Sequence, residues 1–276
     1  LKEQLLSCRR NGFDRMDAAE RSAMESYCTD YKAFLDTSKT ERLCAGEVVR
    51  LAEQAGYRPY VRGAAVKPGD KVYLCNRGKS VLLAHIGEKP LTEGVQIAAA
   101  HIDSPRLDLK PNPLYEDGEL AYFKTHYYGG IRKYQWVTIP LELHGVVALR
   151  DGASVQVNIG GGADDPRLGI TDLLPHLGTE QMKRPATEVI KGEDLNLLIG
   201  SRPFRDDEGS DLVKLNILKL LHEKYGIVEA DFLSAELEIV PAFRARDLGF
   251  DRSMIAAYGH DDRVCAYPAL TAPVSY

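Results

Sequence analysis

Three apolar runs limit the folds that are open to this chain: KVYLC at 71–75, SVLLAHI at 80–86 and VQIAAAHI at 95–102. Each run is almost continuously apolar, and turn-forming residues separate it from the next run. Such runs are typical of strands that helices cover on both faces. Apolar residues at helical spacing predict those helices at 17–37 and 39–55. This part of the chain is therefore predicted to be an α/β layer.

The sequence changes in character after Pro105. Strand-like runs rich in β-branched and aromatic residues follow, and LYEDGELAY and LRDGASV place Asp-Gly between two such runs, which is typical of a hairpin. One predicted helix, at 212–226, interrupts these runs. We therefore predict a β-rich domain at 104–250, inserted into an α/β domain that comprises residues 1–103 and 251–276.

Composition excludes several classes of protein. The formal net charge of -5 gives no reason to expect a nucleic acid or an anionic membrane as partner. No apolar run approaches the ~20 residues of a membrane span, and the first residues do not resemble a secretory signal. The five cysteines are scattered without a Cys-x-x-Cys pair, which argues against a disulfide framework and a cysteine zinc site. A reducing cytoplasm is the expected location.

The third apolar run ends in HIDSP, which places His101 and Asp103 two residues apart. On a strand these two side chains point to the same side. One interpretation is a metal-binding histidine with a carboxylate that orients it. The other is a polar pair that caps a strand, and a single His-x-Asp does not decide between them.

A second candidate stretch, YGHDDRVCAYPAL, contains the adjacent carboxylates Asp261 and Asp262. Adjacent carboxylates repel each other unless a cation or a donor is near. The alternative is a solvated turn that caps a helix, with Arg263 as the charge partner. Because the two stretches flank the inserted domain, we expect them to be neighbours in space. Together they predict a two-metal hydrolase that uses zinc, with manganese and cobalt as alternatives.

The stretches HIDSPRLDLKPNPLY and GHDDRVCAYPAL resemble the M18 metallopeptidases, the family of aspartyl aminopeptidase and vacuolar aminopeptidase I, in their bacterial branch. The resemblance covers nearly the whole chain and includes KTHYYGGIRKYQWVTIPLELHGVV and ITDLLPHL. It implies a zinc-exopeptidase-like catalytic domain with αβα layers, at 1–103 and 251–276, and a dimerisation domain at 104–250. It also implies removal of single N-terminal residues, with acidic ones among the candidates, from peptides.

The resemblance further implies individual roles and an assembly. His101 would bind one zinc ion, Asp261 would bridge two zinc ions in each subunit, and Asp103 would orient His101, with Asp262 as a neighbour. His176 in LLPHL matches a position that reaches the active site of the partner subunit in relatives; the alternative is a structural histidine at a helix start or strand end. The protein would form homo-oligomers, with a dodecamer built from dimers.

The sequence also departs from the family pattern. The family's Glu-Glu-Ile-Gly stretch, which holds the general base and a further ligand, does not occur, and neither do the later Asp and His ligands. One histidine and one bridging aspartate cannot hold two zinc ions, since each needs about four ligands. We therefore expect the C-terminal part of the catalytic domain to lie outside this sequence and these residues alone to be inactive. The alternatives are a truncated, inactive paralogue that serves as an oligomeric binding module, and another two-metal hydrolase, such as a deacylase or carboxypeptidase.

Overall fold

The computed structural model describes residues 5–7, 9–205 and 207–274, which form a mixed α/β fold. Within these residues the α-helices are α1 (Ala18–Thr37), α2 (Glu41–Gln54), α3 (Leu212–Tyr225) and α4 (His260–Val274). Short 3-10 helices lie at Gly12–Asp14, Leu91–Glu93, Lys133–Gln135, Gly192–Asp194 and Glu229–Ser234. The strands are β1 (Arg58–Pro59), β2 (Lys71–Asn76), β3 (Ser80–His85), β4 (Arg106–Asp117), β5 (Leu120–Tyr128), β6 (Leu141–Ala148), β7 (Ser154–Ile159), β8 (Leu197–Gly200), β9 (Ala235–Pro241), β10 (Arg246–Leu248) and β11 (Met254–Ala256).

The predicted helices all form, and α1 shows how the sequence starts one. The carboxylate of Asp17 accepts hydrogen bonds from the backbone N–H groups of Ala19 and Glu20, and the Glu20 carboxylate accepts one from the Asp17 N–H. This reciprocal capping box satisfies donors that the first turn leaves unpaired. The helix then buries Phe34 and Leu35 in a core that it shares with α4. No helix in the part of the chain that the structure describes is long and apolar enough to cross a membrane.

The three apolar runs have two different outcomes. The runs at 71–75 and 80–86 are confirmed as β2 and β3, which pair antiparallel beside a parallel β1. The predicted strand at 95–102 is wrong, because residues 94–105 have no regular secondary structure. A strand requires a hydrogen-bonded neighbour, and no described strand pairs with this run. The side chains of Val95 and Ile97 are consequently 62% and 81% exposed.

A six-stranded antiparallel sheet, in the order β7-β6-β9-β4-β5-β8, forms the β-rich middle of the chain. Both predicted Asp-Gly hairpins are confirmed, and Gly118 and Glu119 between β4 and β5 both have positive φ, as the tight hairpin turn requires. The sheet and α3 enclose a core in which Leu107, Leu141 and Ile239 have no exposed area. The boundaries of the inserted domain at 104 and 250 stay a prediction.

Buried charges join the start of α2 to this sheet. The Arg106 guanidinium lies 3.1 Å from the Glu41 carboxylate and 3.3 Å from that of Glu238, and its Nε donates to Asp108 at 2.8 Å. Burial, together with the nearby Glu41 carboxylate, raises the pKa of Glu238 to about 8. Two carboxylates thus compete for one buried cation, and the protonated form of Glu238 relieves their repulsion.

Candidate metal centre

His101, Asp103 and Asp261 lie together at one site. The Nδ1 atom of His101 is 3.2 Å from Oδ1 of Asp103, and its Nε2 atom is 3.0 Å from Oδ1 of Asp261. The first contact arises locally, from the spacing of two residues, although residues 101–103 do not belong to a strand. The second joins residues 160 positions apart. The expected proximity of the two candidate stretches is therefore what the structure shows.

Both nitrogens of the His101 imidazole have a carboxylate partner, and Asp103 orients the ring as it would orient a metal-binding histidine. Partial burial lowers its pKa, but hydrogen bonds to Asp261 and Asp103 outweigh this and raise the pKa above its ordinary value. The contact between Nε2 and Asp261 needs a proton between two atoms that can each bind a metal ion. A metal ion would take the place of that proton, while Nδ1 would keep its hydrogen bond to Asp103.

Tyr128, at the end of β5, belongs to the site although no sequence signal marked it. Its hydroxyl donates a hydrogen bond of 2.7 Å to Oδ2 of Asp103, and this bond is the main reason that the pKa of Asp103 lies below its usual value. The only available signal was the YYGG that ends a predicted strand, and it carries no indication of the contact. The pairing of β4 with β5 creates it, because Tyr128 lies opposite Arg106 just after the HIDSP stretch.

The backbone of Asp261 is held by the buried pair Ser104 and Arg263, a contact that the sequence did not predict. Ser104 Oγ donates to the Asp261 carbonyl at 2.7 Å, and the Arg263 guanidinium donates to the same hydroxyl. Arg263 has no exposed area, and its Nε donates to the Ser38 carbonyl at 2.9 Å. Arg263 is therefore not the charge partner that the alternative of a solvated turn assigned to it, although the Asp261 side chain is 89% exposed. Asp261 and Asp262 have non-helical backbone angles, with a cis peptide bond between them, so the regular part of α4 follows them.

The donor set fits part of a zinc site. An imidazole and a carboxylate are ordinary zinc ligands, and the side chains of His101 and Asp261 are 52% and 89% exposed, hence accessible to an ion. No group of three or more His, Cys, Asp or Glu residues that could hold a metal ion occurs among the described residues. These residues would thus supply two of the ligands, and the other ligands would have to come from elsewhere in the protein.

His176 lies apart from these residues. It is exposed, in a turn at 175–177 within a segment that is exposed from 171 to 177. Neither a helix start nor a strand end accounts for it. No hydrogen bond or ion pair of the described residues connects it with His101, Asp103 or Asp261, so a role for His176 at a metal centre would need a second subunit.

At the site a carboxylate supports a histidine that faces a second carboxylate, which is a donor set of the kind that metallohydrolases use. A family model described as "Aminopeptidase I zinc metalloprotease (M18)" matches residues 34–276. The chain belongs to this M18 family of zinc aminopeptidases, and the resemblance noted in the sequence is confirmed.

Sequence relatives and solved structures point to the same family. A probable M18 family aminopeptidase 1 of Clostridium acetobutylicum is 51% identical over 276 residues, which are 99% of this chain and 59% of the relative. The crystal structure of an M18 aminopeptidase from Thermotoga maritima matches 98% of this chain and 58% of its own, with a TM-score of 0.92 and 44% identity. The yeast mApe1 dodecamer of Saccharomyces cerevisiae, at 16% identity and a TM-score of 0.70, matches 92% of this chain and 57% of its own and shares the fold alone. The chain therefore spans less than two thirds of the length of these relatives.

Proposed function

We propose that the full-length protein containing this chain is a two-zinc aminopeptidase that removes single N-terminal residues from peptides. The observation that carries the proposal is the position of His101, with Nε2 3.0 Å from Asp261 and Nδ1 3.2 Å from Asp103. Membership of a family of zinc aminopeptidases supports this reaction class, and the contact of an imidazole with two carboxylates supports a metal-dependent hydrolysis.

Each residue would have a distinct part in the reaction. Asp103 accepts the Nδ1 proton of His101 and thereby leaves the Nε2 lone pair for a metal ion. Asp261 presents two exposed carboxylate oxygens, which suit it to bridge two ions. When bound, zinc would polarise the scissile carbonyl and lower the pKa of the attacking water. The general base and the remaining ligands would come from the part of the relatives' length that this chain does not span.

We also propose that the catalytic domain of the full-length protein has αβα layers. The exposure of the segment around His176 supports a role in the active site of a partner subunit, within a dodecamer built from dimers. The mApe1 structure, which is a dodecamer, lends this assembly support by fold alone. We further propose acidic N-terminal residues as candidate substrates. A cytoplasmic location agrees with four free thiols, at Cys28, Cys44, Cys75 and Cys265, whereas Cys8 lies outside the described residues.

Zinc content and peptide hydrolysis of the full-length protein test the proposal. We expect about two zinc ions per chain, as a two-metal site requires. Loss of an outer partner of a ligand costs up to ~100-fold, so His101→Ala, which removes a ligand, should lower the zinc content and reduce hydrolysis by more than that. His222→Ala, at an exposed position of α3, should change neither. Elemental analysis gives the metal content, and a panel of peptides that begin with Glu, Asp or Leu gives the preference.

Two results would favour the alternatives. A protein that forms stable oligomers but binds no zinc would support an inactive binding module. Hydrolysis of N-acetylated peptides at a rate similar to that of free ones would support a different two-metal hydrolase, because an aminopeptidase needs the free α-amine of its substrate.

A further inference from the structure

We infer that Tyr128 is a positioning residue of the metal centre, whose hydroxyl holds the Asp103 carboxylate in the orientation that directs Nε2 of His101 toward Asp261. The inference rests on the proposed metal-binding function. It concerns a residue on the six-stranded sheet rather than in either of the stretches HIDSP and GHDDR.

The two oxygens of the Asp103 carboxylate have two different partners. Oδ1 faces Nδ1 of His101 at 3.2 Å, and Oδ2 accepts the Tyr128 hydroxyl at 2.7 Å. A carboxylate with one hydrogen bond rotates readily about its last torsion, which has broad preferences. Packing does not prevent this rotation, because the Asp103 side chain is 40% exposed. Nδ1 of His101 also lies 3.1 Å from the backbone oxygen of Asp103, which does not move with the carboxylate. The bond from Tyr128 therefore sets the plane of the carboxylate, and the carboxylate adds to this backbone contact in orienting His101.

Tyr128 is itself held firmly enough to serve as an anchor. It lies opposite Arg106 in the pairing of β4 with β5, and the Arg106 guanidinium lies over its ring at 4.2 Å from the centroid. Arg106 is in turn held by the carboxylates of Glu41 and Glu238. The attraction between this cation and the face of the ring helps to keep the ring in place. The buried charges around Arg106 thus support the exposed site through the ring of Tyr128.

The backbone next to Tyr128 brings β5 against the HIDSP stretch. Gly129 has a φ of +75°, and a Cβ at this position would lie 3.3 Å from the Pro105 ring. The strand therefore ends in close contact with the residue that follows Ser104, and only glycine combines this φ with this approach at low cost. The separation of Tyr128 from Asp103 is set by the packing of the backbone as well as by the two side chains.

Tyr128→Phe in the full-length protein tests the inference, because the variant loses one oxygen and keeps the ring over Arg106. The outer partners of metal ligands commonly contribute 10- to 100-fold in affinity, and we expect a loss of about 10-fold in zinc affinity here. Competition with a chelator measures it. At saturating zinc, kcat should fall while KM changes less than about twofold, because a residue that acts by positioning Asp103 affects the metal centre more than the binding of the substrate. Tyr127→Phe, the same change one residue earlier on β5, is the matched control and should affect neither quantity.

A double-mutant cycle separates positioning from a general structural effect. If Tyr128 acts through Asp103, adding Tyr128→Phe to Asp103→Ala should cause no further loss of zinc affinity. The same additional loss in both backgrounds would overturn the inference, and so would a Tyr128→Phe protein that binds zinc as Tyr127→Phe does. In both cases a wild type that binds zinc and cleaves peptides would leave the proposed function intact. A wild type without zinc would overturn both.

Discussion

Similar apolar residues are buried in the six-stranded sheet and exposed in the segment at 94–105. Leu107 and Ile239 lie on paired neighbouring strands and have no exposed area, whereas Ile97 lies in a segment without strand partners and is 81% exposed. All six strands of the sheet lie between residues 106 and 241, and each has a hydrogen-bonded neighbour there. The segment that carries His101 has no hydrogen-bonded strand beside it among the described residues. Burial in this molecule therefore depends on whether a strand has a partner, and four experiments test this contrast.

Gly145→Ala should have the largest effect, because it acts on the closest approach of two strands. A Cβ at Gly145 in β6 would lie 1.9 Å from the backbone oxygen of Glu236 in β9. We expect a loss of more than about 4 kcal/mol in the free energy of unfolding, or no folded protein. Urea unfolding followed by Trp136 fluorescence measures it. Gly87→Ala, which meets no atom within 4 Å, should stay within about 0.5 kcal/mol, and an equal cost at both glycines would contradict the close pairing of β6 and β9.

Leu107→Ala and Ile97→Ala compare the two environments directly. Removing the buried Leu107 side chain should cost about 3 kcal/mol, through lost burial and the cavity left behind. Removing the exposed Ile97 side chain should cost less than about 0.5 kcal/mol in the 276-residue chain. Urea midpoints at constant m-value give both costs. A cost at Ile97 that approaches that at Leu107 would mean that the segment is buried in solution.

Glu238→Gln should change the pH dependence of stability. The pKa of Glu238 is about 8 in the folded protein, above its ordinary value of 4.5, so the folded state binds the proton more tightly than the unfolded state. Wild-type stability should therefore fall as pH rises from about 4.5 to about 8. The glutamine variant cannot ionise, and it should gain about 2 kcal/mol on wild type across this range, measured by urea unfolding at pH 5 and pH 8.5.

Glu236→Gln is the control for this pH series. Glu236 is partly exposed; burial opposes the shift, but the hydrogen bonds from Lys79 and Arg42 prevail and lower the pKa. Its contribution to stability is present above its ordinary pKa and is lost as pH falls through the folded value. The variant should therefore differ in pH dependence from wild type only on the acidic side. A parallel response of the two variants between pH 5 and pH 8.5 would show that the burial of Glu238 does not set its pKa.

Ser104→Ala should have the smallest effect, because it removes only the contacts of one hydroxyl between the segment at 94–105 and α4. The variant leaves the Asp261 carbonyl and one Arg263 nitrogen without the Ser104 hydroxyl. We expect a cost of about 1 kcal/mol, the usual scale of such a hydrogen bond. Ser80→Ala, at an exposed position of β3, should stay within about 0.5 kcal/mol. Equal unfolding free energies for the two variants would show that the Ser104 contact does not stabilise the fold.

Local elements were predictable because their causes are local. The helix at 17–37 and the hairpin at LYEDGELAY depend on residues within a few positions of each other, as in the capping box of Asp17 and Glu20. The strand at 95–102 was predicted wrongly, because apolar composition indicates only that a segment can pair. Whether it pairs depends on another strand, and none of the described strands pairs with it.

For the site, the sequence by itself determined that His101 and Asp103 are neighbours, because a spacing of two residues keeps their side chains close enough for a hydrogen bond. It also determined the family, since the motifs around His101 and Asp261 are long. The roles of these residues as ligands stay predictions. Only the tertiary structure decided that Asp261 reaches His101 from 160 residues away and that Tyr128 reaches Asp103. Such contacts depend on strand register and on the packing of β5 against Pro105, and no pattern within either segment specifies them.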